Sequence, residues 1–371
     1  MNPFPGNLLQ GKSGKTVYIG IIAGLLLVSD CARPAKTAPR ENDSEPFTPL
    51  AKQLRALPVV RSVQSWNLPE CIQKQSLHGM KIITPHYEIY TSLQDPLILR
   101  QTPAFLESAF RAYCGIIGGM EYPKKKLQVY LFGNRRQWED FTRFWTGTQA
   151  QTYLKIRSGA YYARGACVAY HIGRTSNFSV LAHEGWHQFV DELFVYRLPA
   201  WLDEGIAVGF EAYEWQKGQV RFMPRLNGPR LAPLQQALRR RALFPLQELL
   251  TLDAGRVVSH ASQENKDKNP DDRIAVYYAQ LYALVRFLRE DNYGQHRRAF
   301  RRLVNDGRLG RWSLSTALRN EALQRRTNPS QKWNAEVGQE LFRQYITPNH
   351  LLLEPQYQRF CQKILSSVRF H

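Results

Sequence analysis

Residues 181–187 read LAHEGWH. His183 and His187 stand four apart, so on a helix they share one face, about one turn apart, and both imidazoles can reach a single ion. Glu184 follows the first histidine and can reach water held by the same ion. This is the H-E-x-x-H pattern of a zinc-binding helix. Its three fixed residues arise by chance in roughly one chain in a hundred of this length, and a lone helical histidine is most often structural. A catalytic zinc generally has three protein ligands and one open position, so a third ligand is expected from a neighbouring element.

Such an element follows. Residues 199–207 read PAWLDEGIA. This phrase resembles the second zinc helix of the gluzincins, where W-L-x-E-G-x-A supplies a glutamate ligand; aminopeptidase N and the peptidase MA-like domains carry similar phrases. The resemblance makes Glu204 the third ligand, with Trp201, Leu202, Gly205 and Ala207 fitting around it. Sixteen residues, 188 to 203, separate it from His187. That is two to three fewer than in aminopeptidase N or thermolysin, but enough for two more helical turns, a bend near Pro199 and one turn back. Gln188-Phe189 and the Tyr-Ala-Gln phrase at 278–280 are also similar to peptidase MA-like domains.

The resemblance implies a zinc metallopeptidase, a gluzincin-like hydrolase acting on a peptide or protein substrate, with Glu184 as general base. It also implies a Tyr or His that steadies the oxyanion. Tyr278 is the first candidate because it opens the Tyr-Ala-Gln phrase; Tyr277, Tyr282 and His260 are rivals. Asp191 and Asp203 are candidates to orient the ligand histidines. The strand before the zinc helix, Ala166 to His171, is expected to line the cleft and pair with an extended substrate. Another reading of the same residues is a zinc-binding scaffold lipoprotein of the cell envelope that has lost hydrolysis.

Outward from the motif, strands are expected at Tyr87–Ser92, Lys126–Phe132, Ala160–Ala163 and Ala166–His171, the last two joined at Arg164-Gly165. Helices are expected at Thr102–Ile117, Arg136–Phe144, Ser179–Phe194 (capped by Asn177 or Ser176), Ala200–Trp215, Ala232–Ala242, Leu246–Leu250, Val276–Glu290, Arg297–Asn305 and Val337–Tyr345. The polar stretch Asp253–Asp272 reads as a loop. Strands early and helices late make the fold class α+β; with the resemblance, the expectation is a zincin-like metallopeptidase fold, a small N-terminal mixed sheet followed by a mainly helical part. Gly185 is out of place inside the zinc helix, where glycine costs about 1 kcal/mol relative to alanine.

The 371 residues are 43% hydrophobic and 12% aromatic, ample for a core. The formal charge of +19 would attract polyanions. Its arginine clusters fall on amphipathic helical patterns, where charge runs are usually solvated faces, and no nucleic-acid fold signature accompanies them, so no specific nucleic acid is expected as partner. At the N-terminus, Lys12 and Lys15 precede the apolar run TVYIGIIAGLLLV (16–28), the pattern of a secretory signal peptide. Val28-Ser29-Asp30-Cys31 resembles a bacterial lipobox, with Asp30 where a small residue is the rule. The expectation is an exported protein of the cell envelope, tethered to the membrane by its N-terminal segment or a lipid on Cys31. The chain divides into a signal or lipobox segment (1–31), a flexible tether (32–78), the peptidase domain (79–350) and a C-terminal extension (351–371). Cys71, Cys114, Cys167 and Cys361 are either two disulfides or buried free thiols.

Overall fold

The structure, a computed structural model, describes residues 49–69, 79–120, 122–156, 159–264, 270–323 and 333–366. The signal segment, Cys31, most of the expected tether and Cys71 lie outside the described residues.

The N-terminal half is built on a mixed sheet of six strands: β1 (Ser62–Trp66), β2 (Gly79–Ile83), β3 (Tyr87–Thr91), β4 (Leu127–Phe132), β5 (Ala160–Ala163) and β6 (Ala166–Tyr170). Their order across the sheet is β1-β2-β3-β4-β6-β5. The β3–β4 and β4–β6 pairs are parallel and the others antiparallel. Helix α1 (Pro49–Arg55) precedes β1 and buries Leu50, Ala51 and Leu54 in the core. Residues 49–66, expected as tether, are therefore part of the folded body.

Side chains alternate across a strand, and β6 is buried on both faces. Cys167 and Ala169 face the main core, with α2 (Pro96–Ile117) and the zinc-motif helix α5 (Arg174–Leu193). Ala166, Val168 and Tyr170 face a second core under α3 (Arg135–Thr146), where Trp138 and Phe141 meet Tyr161 and Phe132. A short helix α4 (Ala150–Tyr153) leads into β5. At the β5–β6 turn Arg164 and Gly165 both have positive φ (53° and 81°), the conformation of a tight two-residue hairpin turn.

β6 does not have the free edge expected of it. It pairs with β4 on one side and β5 on the other, so its backbone is spent within the sheet. The edge next to the zinc-motif helix is β5.

The C-terminal half is helical: α6 (Ala200–Ala207), α7 (Gly228–Arg239), α8 (Leu246–Leu249), α9 (Ala254–Glu264), α10 (Pro270–Glu290), α11 (Arg297–Arg308), α12 (Thr316–Leu323), α13 (Gly338–Tyr345) and α14 (Glu354–Ser366). The buried helix α10 is its spine; α6, α7, α9, α11 and α14 all pack on it. The fold class is α+β.

Three expectations are corrected. The predicted helix Ala200–Trp215 ends at Ala207; a 3₁₀ turn (Val208–Phe210) follows, then the hairpin β7 (Tyr213–Gln216) and β8 (Gln219–Phe222). Of the stretch Asp253–Asp272, expected as a loop, Ala254–Glu264 forms α9 and α10 starts at Pro270, while 265–269 lie outside the described residues; Val257 and Val258 of α9 are buried against the core, and Asp253 caps the helix by accepting from the Arg256 amide. The supposed C-terminal extension contains α14, whose Tyr357 and Phe360 pack on α10 beside Phe287. Among the described residues, Cys114, Cys167 and Cys361 are buried and none of them is in a disulfide. No described helix is long and apolar enough to cross a membrane.

Candidate metal centre

Helix α5 begins at Arg174, earlier than expected, and Asn177 does not cap it. The buried Asn177 amide instead accepts from the Ile172 amide and donates to the Tyr170 carbonyl, tying the helix start to the end of β6. Gln188 anchors the other end, donating to the Gln128 and Gly165 carbonyls. Together they fix the helix under the β5–β6 hairpin.

Gly185 has its reason in this packing. Tyr113 of α2 lies across the helix and donates its hydroxyl to the Ala182 carbonyl at 2.7 Å. A Cβ on Gly185 would stand 2.6 Å from that hydroxyl oxygen. Gly205 does the same for α6, where a Cβ would meet Val285 at 2.6 Å and the Leu281 carbonyl oxygen at 2.9 Å. The two glycines let α2 and α10 press the two motif helices together.

The result is a convergence of three buried side chains, His183, His187 and Glu204, whose ligand atoms all lie within 4.8 Å of one another. His183 Nε2 is 3.3 Å and His187 Nε2 3.7 Å from Glu204 Oε2. Two ligands about 2 Å from a tetrahedral ion are roughly 3.3 Å apart. Among the described residues neither Nε2, nor Glu204 Oε2, has a hydrogen-bond partner, although all three atoms are buried. Buried polar atoms normally have partners; here three orphans point at one another with the spacing of a coordination shell. The group can hold a metal ion.

Each histidine is oriented through its other nitrogen. Asp203 accepts from His187 Nδ1 at 3.0 Å and from the Trp186 indole at 2.8 Å. Glu211 accepts from His183 Nδ1 at 3.0 Å. Of the two expected orienting residues, Asp203 holds this position and Asp191 does not: its carboxylate takes the Tyr162 hydroxyl of β5. Glu211 was missed. It lies past the 3₁₀ turn, in the stretch misread as helix, and is itself clamped by Arg230 Nη2 (2.6 Å), Arg230 Nε (2.8 Å) and Asn227 (3.1 Å).

Electrostatics follow from three carboxylates around two imidazoles. Burial pulls His183 down, but Glu204 and Glu211 outweigh it and push it up to about 9. Burial also opposes His187, yet Asp203 and Glu204 raise it well above the usual range. Glu204 is pulled down to about 2, against its burial, by the two histidines; Glu211 is lowered by Arg230 and His183. Such a negative surround favours a cation. Glu184 differs: burial pushes it up to about 7, against a lowering by the Tyr162 backbone, and among the described residues neither oxygen has a partner at full hydrogen-bond geometry. The backbone of Tyr162, on β5, faces this carboxylate.

Among the candidates for the oxyanion role, Tyr277 donates to the Leu252 carbonyl at 3.2 Å and Tyr282 to the Pro224 carbonyl at 2.5 Å, so both hydroxyls are committed to backbone. The side chain of His260 lies outside the described residues. Tyr278 is buried within electrostatic reach of Glu204 and Glu184, which with burial raise its hydroxyl well above 10 and keep it a proton donor. The Arg230 guanidinium stacks 5.1 Å over its ring.

No protein-family model matches this chain, and no curated protein matches it.

Proposed function

We propose that the chain is a zinc-dependent peptidase with a zincin-like fold of the gluzincin type. The observation that carries this reading is the convergence of His183, His187 and Glu204, all with buried unpartnered ligand atoms, beside the equally unpartnered carboxylate of Glu184. Two imidazoles and one carboxylate are a common donor set for catalytic zinc. Zinc, when bound, supplies Lewis acidity: it makes water acidic enough to lose a proton near neutrality and polarises a carbonyl oxygen.

The remaining chemistry belongs to the chain. Glu184 takes the proton of the attacking water on a carboxylate oxygen and delivers it to the leaving amine nitrogen. The Tyr278 hydroxyl donates to the carbonyl oxygen as charge develops on it. The outer edge of β5 receives the substrate backbone as an added strand, in the role first expected of Ala166–His171. The Tyr162–Asp191 contact ties that edge to the motif helix. The apolar run 16–28 and Cys31 support export and attachment at the envelope membrane.

The test is metal content by mass spectrometry, joined to cleavage of a peptide library. The full chain should carry one zinc and His187→Ala should lose it. Glu184→Gln should keep zinc and lose hydrolysis by at least about a hundredfold. Absence of zinc after reconstitution would sink the metal reading. Zinc with no cleavage of any peptide would leave a silent zinc scaffold.

A further inference from the structure

We infer that the arginine face of α11, with Tyr293 beside it, docks the folded body on an anionic phospholipid surface, a contact separate from the N-terminal segment and independent of the peptidase reading.

From Arg286 to Arg311 the chain carries eight arginines against three acids, Glu290, Asp291 and Asp306. Two of those acids are engaged. Glu290 holds Arg286 at 3.0 Å and Arg225 at 3.1 Å. Asp306 accepts from the Tyr345 hydroxyl at 2.7 Å and lies 3.6 Å from Arg302. Phe300, Leu303 and Val304 are the buried side of α11, which turns Arg297, Arg298, Arg301 and Arg302 outward, all four exposed. Among the described residues no carboxylate pairs with Arg298 or Arg301. Arg297 has a use in the fold: its Nε donates to the Arg289 carbonyl at 3.0 Å, and its guanidinium lies over Gly294, where a Cβ would stand 2.8 Å from it. Arg289 sits half-buried behind this group. Burial, with Arg297 and Arg301 alongside, pulls it below the ordinary arginine value, against Glu290.

Stability does not explain such a gathering. Arg297 and Arg298 open α11, where the helix dipole already places positive charge, and the first turn holds no acid. The cations repel one another and the helix end. A plane of phosphates relieves both repulsions, and clustered basic residues are the usual means of binding anionic lipid.

Tyr293 decides between polyanions. It is fully exposed, and its neighbour Gly294 touches the Arg297 guanidinium. Asn292 and Tyr293 have φ of 43° and 58°, a left-handed backbone uncommon for tyrosine, and the turn holds the ring out from the core. A tyrosine flanked by arginines suits the headgroup level of a membrane, with the ring in the interface and the hydroxyl wet. The Arg225–Glu290 pair brings the Pro224–Leu226 turn to the same end of α10, and Leu226 is a second exposed apolar side chain there. A nucleic acid would use the arginines and stack on the ring, but it offers the leucine nothing. A lipid interface takes all three.

The test is flotation with phosphatidylcholine vesicles, plain or containing about one third phosphatidylglycerol. The full chain would carry Ile22→Asp and Leu26→Asp, which break the apolar run 16–28, so that flotation reads the folded body. It should bind the anionic vesicles, ignore the neutral ones and be released by salt. Arg298→Glu with Arg301→Glu should weaken binding by at least about tenfold. The melting temperature should hold or rise, because acids suit the start of a helix. Arg240→Glu with Arg241→Glu changes the net charge equally at the other end of α10, where Arg273 donates to the Ala242 carbonyl, and should weaken binding by less than about threefold. Tyr293→Ser should weaken it by at least about threefold. No binding to anionic vesicles, equal binding to neutral ones, or equal loss from the two charge reversals would overturn the docking face. Vesicle binding indifferent to Tyr293→Ser, with a single-stranded oligonucleotide bound as tightly and lost in Arg298→Glu/Arg301→Glu, would give the face to nucleic acid and overturn the lipid assignment.

Discussion

Glu211→Gln tests the least visible part of the site. The carboxylate accepts from four donors: His183 Nδ1 and Arg230 Nη2 on Oε1, Arg230 Nε and Asn227 Nδ2 on Oε2. An amide has only one acceptor oxygen, so whichever way it turns, its NH₂ group faces two donors and the buried Arg230 charge loses its partner. The side chains of Glu211 and Arg230 are 11% and 12% exposed, so water relieves little of this. Breaking a buried pair by removing one charge typically costs 3–5 kcal/mol, and the slight exposure argues for the lower end, about 3 kcal/mol. In a domain of this size that lowers the melting temperature by about 6 °C. His183 also loses its orienting acceptor, so zinc affinity should fall 10–100-fold, roughly the effect of removing an outer-shell partner. The assays are a thermal melt of the metal-free chain and a zinc titration against a competing chelator, with Glu214→Gln on the partly buried strand β7 as the control expected to be silent. A Glu211→Gln chain with wild-type melting and wild-type zinc affinity would refute the reasoning. A lowered melting temperature with unchanged affinity would confine Glu211 to a structural role.

Gly185→Ala should destabilise by about 1–3 kcal/mol, as overpacked cores do, despite alanine's better helix propensity; Tyr113→Phe, which removes the oxygen 2.6 Å from the new Cβ, should recover much of it, and additive effects in the double-mutant cycle would count against the contact. Gly205→Ala should be harsher and without rescue, because one obstacle is the Leu281 backbone carbonyl; denaturant melts of Gly205→Ala with and without Val285→Ala would show whether the backbone contact dominates. Glu107 accepts from the Thr84 hydroxyl and from the His86 amide and ring. Burial alone would raise its pKa, but these bonds hold it below the ordinary glutamate value. A depressed folded pKa gives stability that is full above the unfolded value and fades as pH falls through the folded one. Glu107→Gln should therefore flatten the acid side of a stability–pH curve below about pH 5, while an unchanged slope would dissociate this carboxylate from acid unfolding.

The parts of the site legible in the sequence are those whose spacing is local. His183, Glu184 and His187 share one helical face by period alone, and Glu204 sits in a phrase whose glycine is demanded by the helix behind it. What escaped depends on chain reversal. The apolar spacing of α6 continues through Val208 and Phe210, which invited a longer helix, whereas the chain tightens into a 3₁₀ turn there. The hairpin was readable: Tyr213, Trp215, Val220 and Phe222 alternate with polar residues about Lys217-Gly218, and both turn residues take positive φ. Reading it would have ended α6 at the right place and brought Glu211 back toward His183. Arg230 was never legible, because its pairing is set by how the segment after the hairpin folds across the site. Helix α9 was hidden for another reason: its sequence is polar but for Val257 and Val258, and tertiary burial of that pair decides its structure. The free edge of β5 was the hardest, because strand order is a property of the sheet. β6 precedes the motif helix in sequence, but β5 reaches the edge beside Glu184 because their hairpin folds outward from β4, and that one reversal determines which backbone a substrate would meet.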